Sequence, residues 1–271
     1  MKVDFPKSGG LCNRLKGLVS LFQLASDEEL SIYWPPVIRP NYDKRIDFDW
    51  MLDNKVTLRD KPKESNVGDW ETINSLKRVY VTEEDVPSDF ASYNPVIEHP
   101  CPCVDFEYER IPQKVRDRLI PYFKRLQFKP EILEKADQLT KQIFTEPLIG
   151  VHIRNDSLWN SVRFWQPLKL YFEAVDKLDS KDRLFVVSHN KDSYNQFVKR
   201  YGKRVITIPD TIYDGNNKEF IQQCMVKILL LGKCHTVIFD RNSSIPEVAW
   251  WLGECKFKPI FIRNDKKWGK R

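Results

Sequence analysis

The sequence predicts an α/β fold in which parallel strands are covered by helices. The clearest sign is a regular alternation of short apolar strands and amphipathic helices between residues 147 and 262, which is typical of a parallel sheet with helices on both faces. A second sign is the strand, glycine turn, helix and strand pattern of residues 1–34. Because the regular alternation begins only near residue 147, we predict two domains, residues 1–145 and 146–271.

Composition indicates a globular protein of 271 residues, of which 41% are hydrophobic and 30% charged. The net charge of +6 is mild, and the basic residues are scattered among 38 acidic ones, so we expect no nucleic-acid partner. No stretch approaches the ~18 apolar residues of a membrane span, and the N-terminus lacks the apolar core of a signal peptide. We therefore expect a cytoplasmic protein. None of the six cysteines forms a C-x-x-C pair, so free and mostly buried thiols are expected.

The first 34 residues contain two predicted strands and one predicted helix. The strands cover residues 3–5 and 31–34, and the helix follows the tight turn Ser8-Gly9-Gly10 and continues to about residue 26. Apolar residues recur every three or four positions along this helix. The glycines allow positive φ and let a ligand approach the backbone closely. The alternative is a plain strand-to-helix turn without a ligand.

Residues 35–105 are interrupted by prolines and show no regular pattern. Within them, Asp47-Phe48-Asp49 has the spacing of an acidic pair that holds a metal ion and a nucleotide diphosphate. The apolar residues that follow it directly favour a short helix or turn instead, so we expect no metal site. Residues 111–144 then predict two helices, of which the second begins at Pro130, a residue suited to a first helical turn.

From residue 147 onward, strands and helices alternate. Strands are predicted at residues 148–153, 183–188, 205–208, 236–239 and 259–262. Helices are predicted at residues 168–178, 193–201, 218–232 and 245–253. Because helices connect parallel strands at this spacing, the carboxyl ends of the strands meet at one edge of the sheet, where ligands of open α/β sheets bind.

The strand at residues 148–153 ends in a His-x-Arg sequence. His152 and Arg154 are two residues apart, so they lie on the same side of the strand. Arg154 therefore brings a permanent cation to the carboxyl end of a strand, and the planar guanidinium group can bond two phosphate oxygens at once. We predict that Arg154 holds a phosphate or diphosphate. The alternative is an ordinary ion pair at the end of a strand.

Three stretches, each at a strand end or turn, stand out in this order along the chain. They are Ser-Gly-Gly-Leu-Cys-Asn-Arg-Leu at residues 8–15, Val-His-Ile-Arg at 151–154 and Asp-Arg-Asn-Ser-Ser at 240–244, the last followed by Ala249. With β-α units between them, they resemble the motifs of the fucosyltransferase superfamily. That superfamily includes the α1,6-fucosyltransferases, the nodulation-factor fucosyltransferases and the protein O-fucosyltransferases.

This resemblance implies two Rossmann-like domains in the B-type glycosyltransferase arrangement. The donor would bind in the C-terminal domain, residues 146–271, and the acceptor on the side of residues 1–145. The implied reaction is inverting and independent of metal ions and of any cofactor besides the donor: a glycan acceptor hydroxyl attacks the sugar of a nucleotide-sugar donor, with GDP-fucose favoured.

The same resemblance implies roles for residues on either side of the donor. Arg154 would offset the negative charge of the leaving diphosphate, while Ser243 and Ser244 would bind phosphate at a helix start. His152 would brace the nucleotide. Asn13, as a catalytic residue, would reach the diphosphate and sugar together with the backbone of the glycine pair Gly9 and Gly10.

Five further residues complete the predicted site. Asp240 precedes the serine pair, and His189 lies at the carboxyl end of another strand, so we expect both to line the donor site. Asp156 is predicted as catalytic, and either Asp156 or Glu247 would be the general base. Lys227 lies where relatives often carry an Asp that reads guanine.

Departures from the family pattern leave the donor open. Asn155 replaces a second Arg, Cys12 replaces a second Gly of the opening loop, and Lys227 replaces an Asp. The change to Lys227 removes the acceptor that the N–H groups of guanine need, so a UDP-sugar, with xylose or rhamnose as the sugar, is the alternative donor. A different class of function, a non-catalytic module that binds glycans or nucleotides, also remains open.

Overall fold

The computed structural model of the protein describes residues 2–4, 11–23, 25–34, 37–39, 42–44, 46–60, 113–154, 166–179, 181–206, 208, 217–240 and 243–262. For residues 2–4, 20, 37–39 and 42–44 it describes the backbone alone. The chain forms two compact units. The first comprises residues 1–129 and 216–218, and the second comprises residues 130–215 and 219–271. The predicted assignment of acceptor and donor domains on either side of residue 145 stays a prediction.

The described part of the first unit combines a small parallel sheet with two α-helices. Three strands pair in the order β1-β2-β5, and β3 pairs with β4 in antiparallel fashion. The strands are β1 (Lys2–Asp4), β2 (Ser31–Tyr33), β3 (Val37–Arg39), β4 (Tyr42–Lys44) and β5 (Thr57–Leu58), and the helices are α1 (Leu11–Phe22) and α2 (Gln113–Lys124). The predicted strand-helix-strand start is confirmed, whereas β3, β4 and β5 were not predicted. These three short strands lie within residues 35–105, where prolines interrupt the apolar runs.

Helix α1 ends at Phe22, about four residues earlier than predicted. The reason is a long-range contact with Arg125, just beyond α2. Its guanidinium group donates hydrogen bonds to the main-chain carbonyls of Phe22 and Ala25 and forms an ion pair with Asp27 at 2.5 Å. These bonds satisfy carbonyls that a longer helix would have used internally.

The second unit is built on a five-stranded parallel sheet, as predicted. Its strand order is β10-β9-β6-β7-β8, and every neighbouring pair is parallel. The strands are β6 (Leu148–Ile153), β7 (Arg183–Ser188), β8 (Val205–Ile206), β9 (Thr236–Asp240) and β10 (Lys258–Ile262). The helices are α3 (Pro130–Ile143), α4 (Leu168–Asp176), α5 (Lys191–Tyr201), α6 (Lys218–Leu231) and α7 (Ser244–Leu252). Pro130 begins α3, as expected, and the other predicted boundaries agree within two residues.

The two faces of the central strand β6 pack against different helices. Ile149, Val151 and Ile153 belong to one apolar cluster with Tyr171 of α4. Gly150 points to the opposite face, because a Cβ there would lie 2.9 Å from a methyl group of Leu231 at the end of α6. Since side chains alternate along a strand, His152 lies on the α6 face and Ile153 on the α4 face.

Three sequence expectations outside the site can be compared with the structure. Asp47-Phe48-Asp49 overlaps a one-turn 3-10 helix, Phe48–Trp50, in which Asp49 is exposed, so the expected short helix is confirmed. The described cysteines are free thiols: Cys12, Cys224, Cys234 and the half-buried Cys255, whereas Cys101 and Cys103 lie outside the described residues. Among the helices that the structure describes, none has the length and apolar character that crossing a lipid bilayer requires.

Candidate functional site

His152 is a buried polar side chain near the carboxyl end of the central strand. It is 1% exposed, and among the described residues neither of its ring nitrogens has a hydrogen-bond partner. Burial, and then the charges of His189 and Arg154, lower its pKa from 6.5 to about 3. A neutral imidazole carries one donor and one acceptor. Two unsatisfied polar atoms at this depth are unusual, and they leave His152 able to bond a ligand.

Arg154 follows directly after β6. Its main-chain N–H donates a hydrogen bond to the hydroxyl oxygen of Tyr171, with an N to O distance of 3.5 Å. The residue is partly exposed. Burial, and secondly the carboxylate of Asp240, raise the pKa of Tyr171, so its phenol stays protonated. Arg154, the cation predicted from the sequence, therefore lies at the expected strand end, and its main-chain N–H is hydrogen-bonded to Tyr171.

His189 follows the neighbouring strand β7 at the same edge. The pairing of Ile153 with Ser188 places His189 next to Arg154 in the register of the sheet. Its ring centroid lies 5.7 Å from that of Phe220, in the first turn of α6. This contact joins the end of β7 to the start of α6, so that His189 lies on the α6 face together with His152.

The start of α7 forms another side of the site. Ser243 is the N-cap residue and is 4% exposed, and its main-chain N–H donates to the carbonyl oxygen of Asp240 at 3.0 Å. Its side chain accepts no capping hydrogen bond from the described residues. The first N–H groups of a helix have no partner within the helix, so the turn at Ser243 and Ser244 presents donors that suit an anion.

The strand order brings these segments together. From β6 the chain continues to β7 and β8 on one side of the sheet and later returns to β9 and β10 on the other side. The crevice at such a reversal, outside the carboxyl ends of the strands, is the usual ligand site of open α/β sheets. Arg154 and His189 follow β6 and β7 here, Asp240 is the last residue of β9, and the serine pair comes after it. A guanidinium group and a helix N-terminus at one edge suit a phosphate group.

The remaining predicted residues have different positions. Lys227 lies in the second half of α6 and is 7% exposed, and burial lowers its pKa. Asn13 lies in the first turn of α1, in the first unit, and its Oδ1 is buried without a hydrogen-bond partner among the described residues. Glu247 is buried in the first turn of α7. Gly9, Gly10 and Asp156 lie outside the described residues, and the predicted roles of all these residues stay predictions.

Tyr171 is the residue near the site that sequence patterns missed. The residue lies in α4 and is completely buried, a position that fits the apolar period of the helix. Apolar periodicity, however, treats tyrosine like phenylalanine and cannot indicate where its hydroxyl will find a partner. The signal that could have found it is chemical: a buried phenol requires a hydrogen-bond partner.

Comparison with known proteins identifies the fold. No protein-family model matches the chain, and no curated protein sequence matches it. Among solved structures, NodZ α1,6-fucosyltransferase co-crystallised with GDP is 16% identical, with a TM-score of 0.54 over 92% of this chain and 91% of that one. Fucosyltransferase NodZ from Bradyrhizobium is 17% identical, with a TM-score of 0.54 over 92% and 91%. POFUT1 in complex with GDP is 13% identical, with a TM-score of 0.50 over 97% and 98%. The chain therefore has a fucosyltransferase-like fold.

Proposed function

We propose that the protein is a glycosyltransferase that moves a sugar, with fucose favoured, from a nucleotide-sugar donor to a hydroxyl group of a glycan acceptor. The observation that carries this proposal is the position of Arg154 beside the start of α7, at the reversal point of the parallel sheet. Solved structures of the same fold include NodZ soaked with GDP-fucose and POFUT1 in complex with GDP-fucose. Both observations support a donor site at this edge of the second unit.

The chemistry follows from where charge develops. Breaking the bond between sugar and diphosphate leaves negative charge on the outer phosphate, and an enzyme without a metal ion offsets it with fixed cations and N–H donors. In our proposal, the guanidinium group of Arg154, the hydroxyl groups of Ser243 and Ser244 and the main-chain N–H of Ser244 have this role. The acceptor hydroxyl attacks C1 of the sugar from the opposite side, so the configuration inverts.

His152 and His189 would define the nucleotide end of the donor. Because burial keeps His152 neutral at physiological pH, its ring can accept one hydrogen bond and donate another to the bound nucleotide. His189, supported by Phe220, would line the same pocket. Asp156 or Glu247 would remove the proton of the acceptor hydroxyl.

In our proposal, the two domains predicted from the sequence have the B-type arrangement. Residues 146–271 would hold the donor, and residues 1–145 would face the acceptor. Asn13 and the backbone of Gly9 and Gly10 would contact the diphosphate and sugar from the first domain. Asn13 supports this assignment because its buried Oδ1 has no partner among the described residues.

Lys227 favours a second candidate donor. A buried ammonium group donates hydrogen bonds but accepts none, so it suits the carbonyl oxygens of uracil better than the N–H edge of guanine. The second candidate is therefore transfer from a UDP-sugar on the same scaffold. A non-catalytic module that binds nucleotides or glycans is the alternative from a different class. Only a measurement of nucleotide-sugar turnover distinguishes such a module from an enzyme.

Thermal-shift measurements with GDP, UDP, CMP, dTDP and ADP, each with and without EDTA, test the proposal first. A ligand at ~100 times its Kd stabilises a protein by about 2.7 kcal/mol. We expect one diphosphate to raise Tm without any effect of EDTA. At the same ligand concentration, Arg154→Ala should reduce the shift to about half or less. Arg183→Ala is the matched control, because Arg183 begins β7 at the opposite edge and pairs with Glu146 at 3.6 Å.

The results with these nucleotides distinguish the candidate donors and test the metal-independent mechanism. A shift with GDP alone favours GDP-fucose, and a shift with UDP alone favours a UDP-sugar; turnover of the matching nucleotide sugar then establishes the enzyme. A shift that requires a metal ion contradicts the metal-independent mechanism. No shift with any nucleotide contradicts the proposed function.

A further inference from the structure

Tyr171 places a polar group in an otherwise apolar layer. The residue is completely buried in the cluster formed with Ile149, Val151 and Ile153 on the α4 face of β6. Burying a hydroxyl group is costly unless it forms a hydrogen bond. Its bond is to the main-chain N–H of Arg154, at 3.5 Å. The phenol therefore contacts the end of β6 at the residue that we propose binds the donor phosphate.

Asp240 is a buried carboxylate on the same face. Ile262 of β10 pairs with Asp240, and the pairing of His152 with Phe239 places Ile153 opposite Asp240 on the other side. The carboxylate thus lies in a row between two isoleucines, and it is completely buried. Tyr171 belongs to the cluster that contains both isoleucines, and the charge of Asp240 raises the pKa of its phenol.

Asp240 also begins the turn into α7. Its carbonyl oxygen accepts the main-chain N–H of Ser243. Tyr171 therefore lies between two segments that are distant in sequence: the end of β6, which carries Arg154, and the end of β9, from which the serine turn starts. Helix α4 packs against β6, β9 and β10, so one helix contacts both the strand that leads to Arg154 and the strand that ends at Asp240.

We propose that Tyr171 is a positioning residue: its hydroxyl oxygen accepts the main-chain N–H of Arg154 and holds the end of β6, so that Arg154 keeps the distance from the Ser243 turn that a diphosphate needs. This inference rests on the proposed function of the site. Tyr171 does not touch the ligand. It acts through the backbone of Arg154, and Asp240 acts through the turn that it begins.

Binding of GDP and GMP, measured by calorimetry, tests the role in ligand binding. Tyr171→Phe keeps the ring and removes the hydroxyl, and losing one net hydrogen bond corresponds to about a 5- to 10-fold loss of affinity. We expect this loss for GDP and almost none for GMP, which lacks the outer phosphate. In an Arg154→Ala background, Tyr171→Phe should have no further effect on GDP affinity.

Tyr201→Phe is the matched control. The Tyr201 hydroxyl bonds the carbonyl oxygen of Phe172 at 3.2 Å and the carboxylate of Asp176 at 2.9 Å, both on α4. Its removal weakens the same helix without touching β6, so the affinities for GDP and GMP should not change. If Tyr171→Phe binds GDP as tightly as the wild type, or loses GDP and GMP equally, the positioning role is wrong.

Amide hydrogen exchange of Arg154 in the ligand-free protein tests the contact independently of any nucleotide. We expect Tyr171→Phe to accelerate this exchange about tenfold, and Tyr201→Phe to leave it unchanged. Unchanged exchange in Tyr171→Phe overturns the inference whatever the protein binds. Exchange could accelerate in Tyr171→Phe although the wild type binds GDP no more tightly than GMP and UDP no more tightly than UMP. In that case the proposed function is wrong, and so is the role of Tyr171 in phosphate binding.

Discussion

Gly253 and Gly232 are in main-chain contact where α7 and α6 end. A Cβ on Gly253 would overlap the carbonyl group of Gly232, and a Cβ on Gly232 would lie 2.7 Å from the carbonyl oxygen of Ala249. Two helices of one sheet face can approach this closely because neither residue has a side chain. The contact holds the far end of α7, whose near end carries Ser243.

Replacing Gly253 by alanine should therefore destabilise the second unit. Overpacking of this kind costs about 1–3 kcal/mol, and at this chain length each kcal/mol lowers Tm by about 2–4 °C. Thermal unfolding of Gly253→Ala measures the effect. Lys256→Ala, an exposed substitution in the same turn, is the control and should leave Tm unchanged. If Gly253→Ala has the same Tm as Lys256→Ala, then α6 and α7 can move apart to accommodate the methyl group without loss of stability.

Arg125 should be essential to the stability of the first unit. Its guanidinium group bonds the carbonyls that end α1 and pairs with Asp27 at 2.5 Å, and it lies 4.5 Å from the ring of Phe22. Hydrogen bonds to charged groups contribute about 1.5–3 kcal/mol, so Arg125→Ala should lower the free energy of unfolding by about 2 kcal/mol or more. Urea unfolding is the measurement, with the exposed Lys124→Ala as control.

His152 makes stability depend on pH. Its pKa is about 3 in the folded protein and 6.5 when unfolded, so below pH 6.5 the unfolded state binds the proton and the folded state does not. Stability is therefore lost as the pH falls from 6.5 toward 3, by about 1.4 kcal/mol per pH unit. At pH 5 the loss from this one group is about 2 kcal/mol.

Urea unfolding at pH 7 and pH 5 measures this dependence. The difference between the two pH values should be smaller by about 2 kcal/mol in His152→Phe than in the wild type, because the substitution removes the titrating group. The control is His235→Gln, at an exposed position, which should retain the dependence of the wild type. If His152→Phe loses as much stability at pH 5 as the wild type, His152 titrates normally and is not sealed from water.

Arg154→Ala should weaken binding of the nucleoside diphosphate by about 10- to 100-fold, since a charge-assisted hydrogen bond contributes about 1.5–3 kcal/mol. Arg154→Lys should lose less affinity than Arg154→Ala. The ammonium group keeps the positive charge but cannot bond two phosphate oxygens at once, as the planar guanidinium group does. Calorimetry with the diphosphate and the monophosphate of the same nucleoside separates the phosphate contact from the base contact. A loss equal for both nucleotides would contradict a contact with the outer phosphate.

Lys227 should decide which base the site prefers. Lys227→Asp exchanges a buried donor for an acceptor, so we expect it to shift relative affinity from UDP toward GDP by about tenfold. Lys227→Met, which has neither function, is the control for loss of charge alone and should lie between the two. An unchanged ratio of GDP to UDP affinity in both variants would exclude Lys227 from base recognition.

Arg154 and Ser243 are positions that could be predicted from the sequence. An apolar run followed by His-x-Arg, and a second run followed by Asp-x-x-Ser-Ser, place both at carboxyl ends of strands. These are local patterns, which neighbouring residues determine. The alternation of strands and helices adds that the strands are parallel, so both ends share one edge. By contrast, the antiparallel pair of β3 and β4 was not predicted, because it lies in the proline-interrupted part of the chain, where no apolar pattern marks a strand.

The sequence by itself determined the α/β class, the parallel sheet and the residues that end its strands. Only the tertiary structure decided that β9 lies beside β6, so that the Ser243 turn neighbours Arg154. It alone placed the hydroxyl of Tyr171 under the main chain of Arg154 and the carboxylate of Asp240 between two isoleucines. Hydrophobic burial drives strands together without specifying their order, and strand order depends on contacts between residues that are distant in the chain.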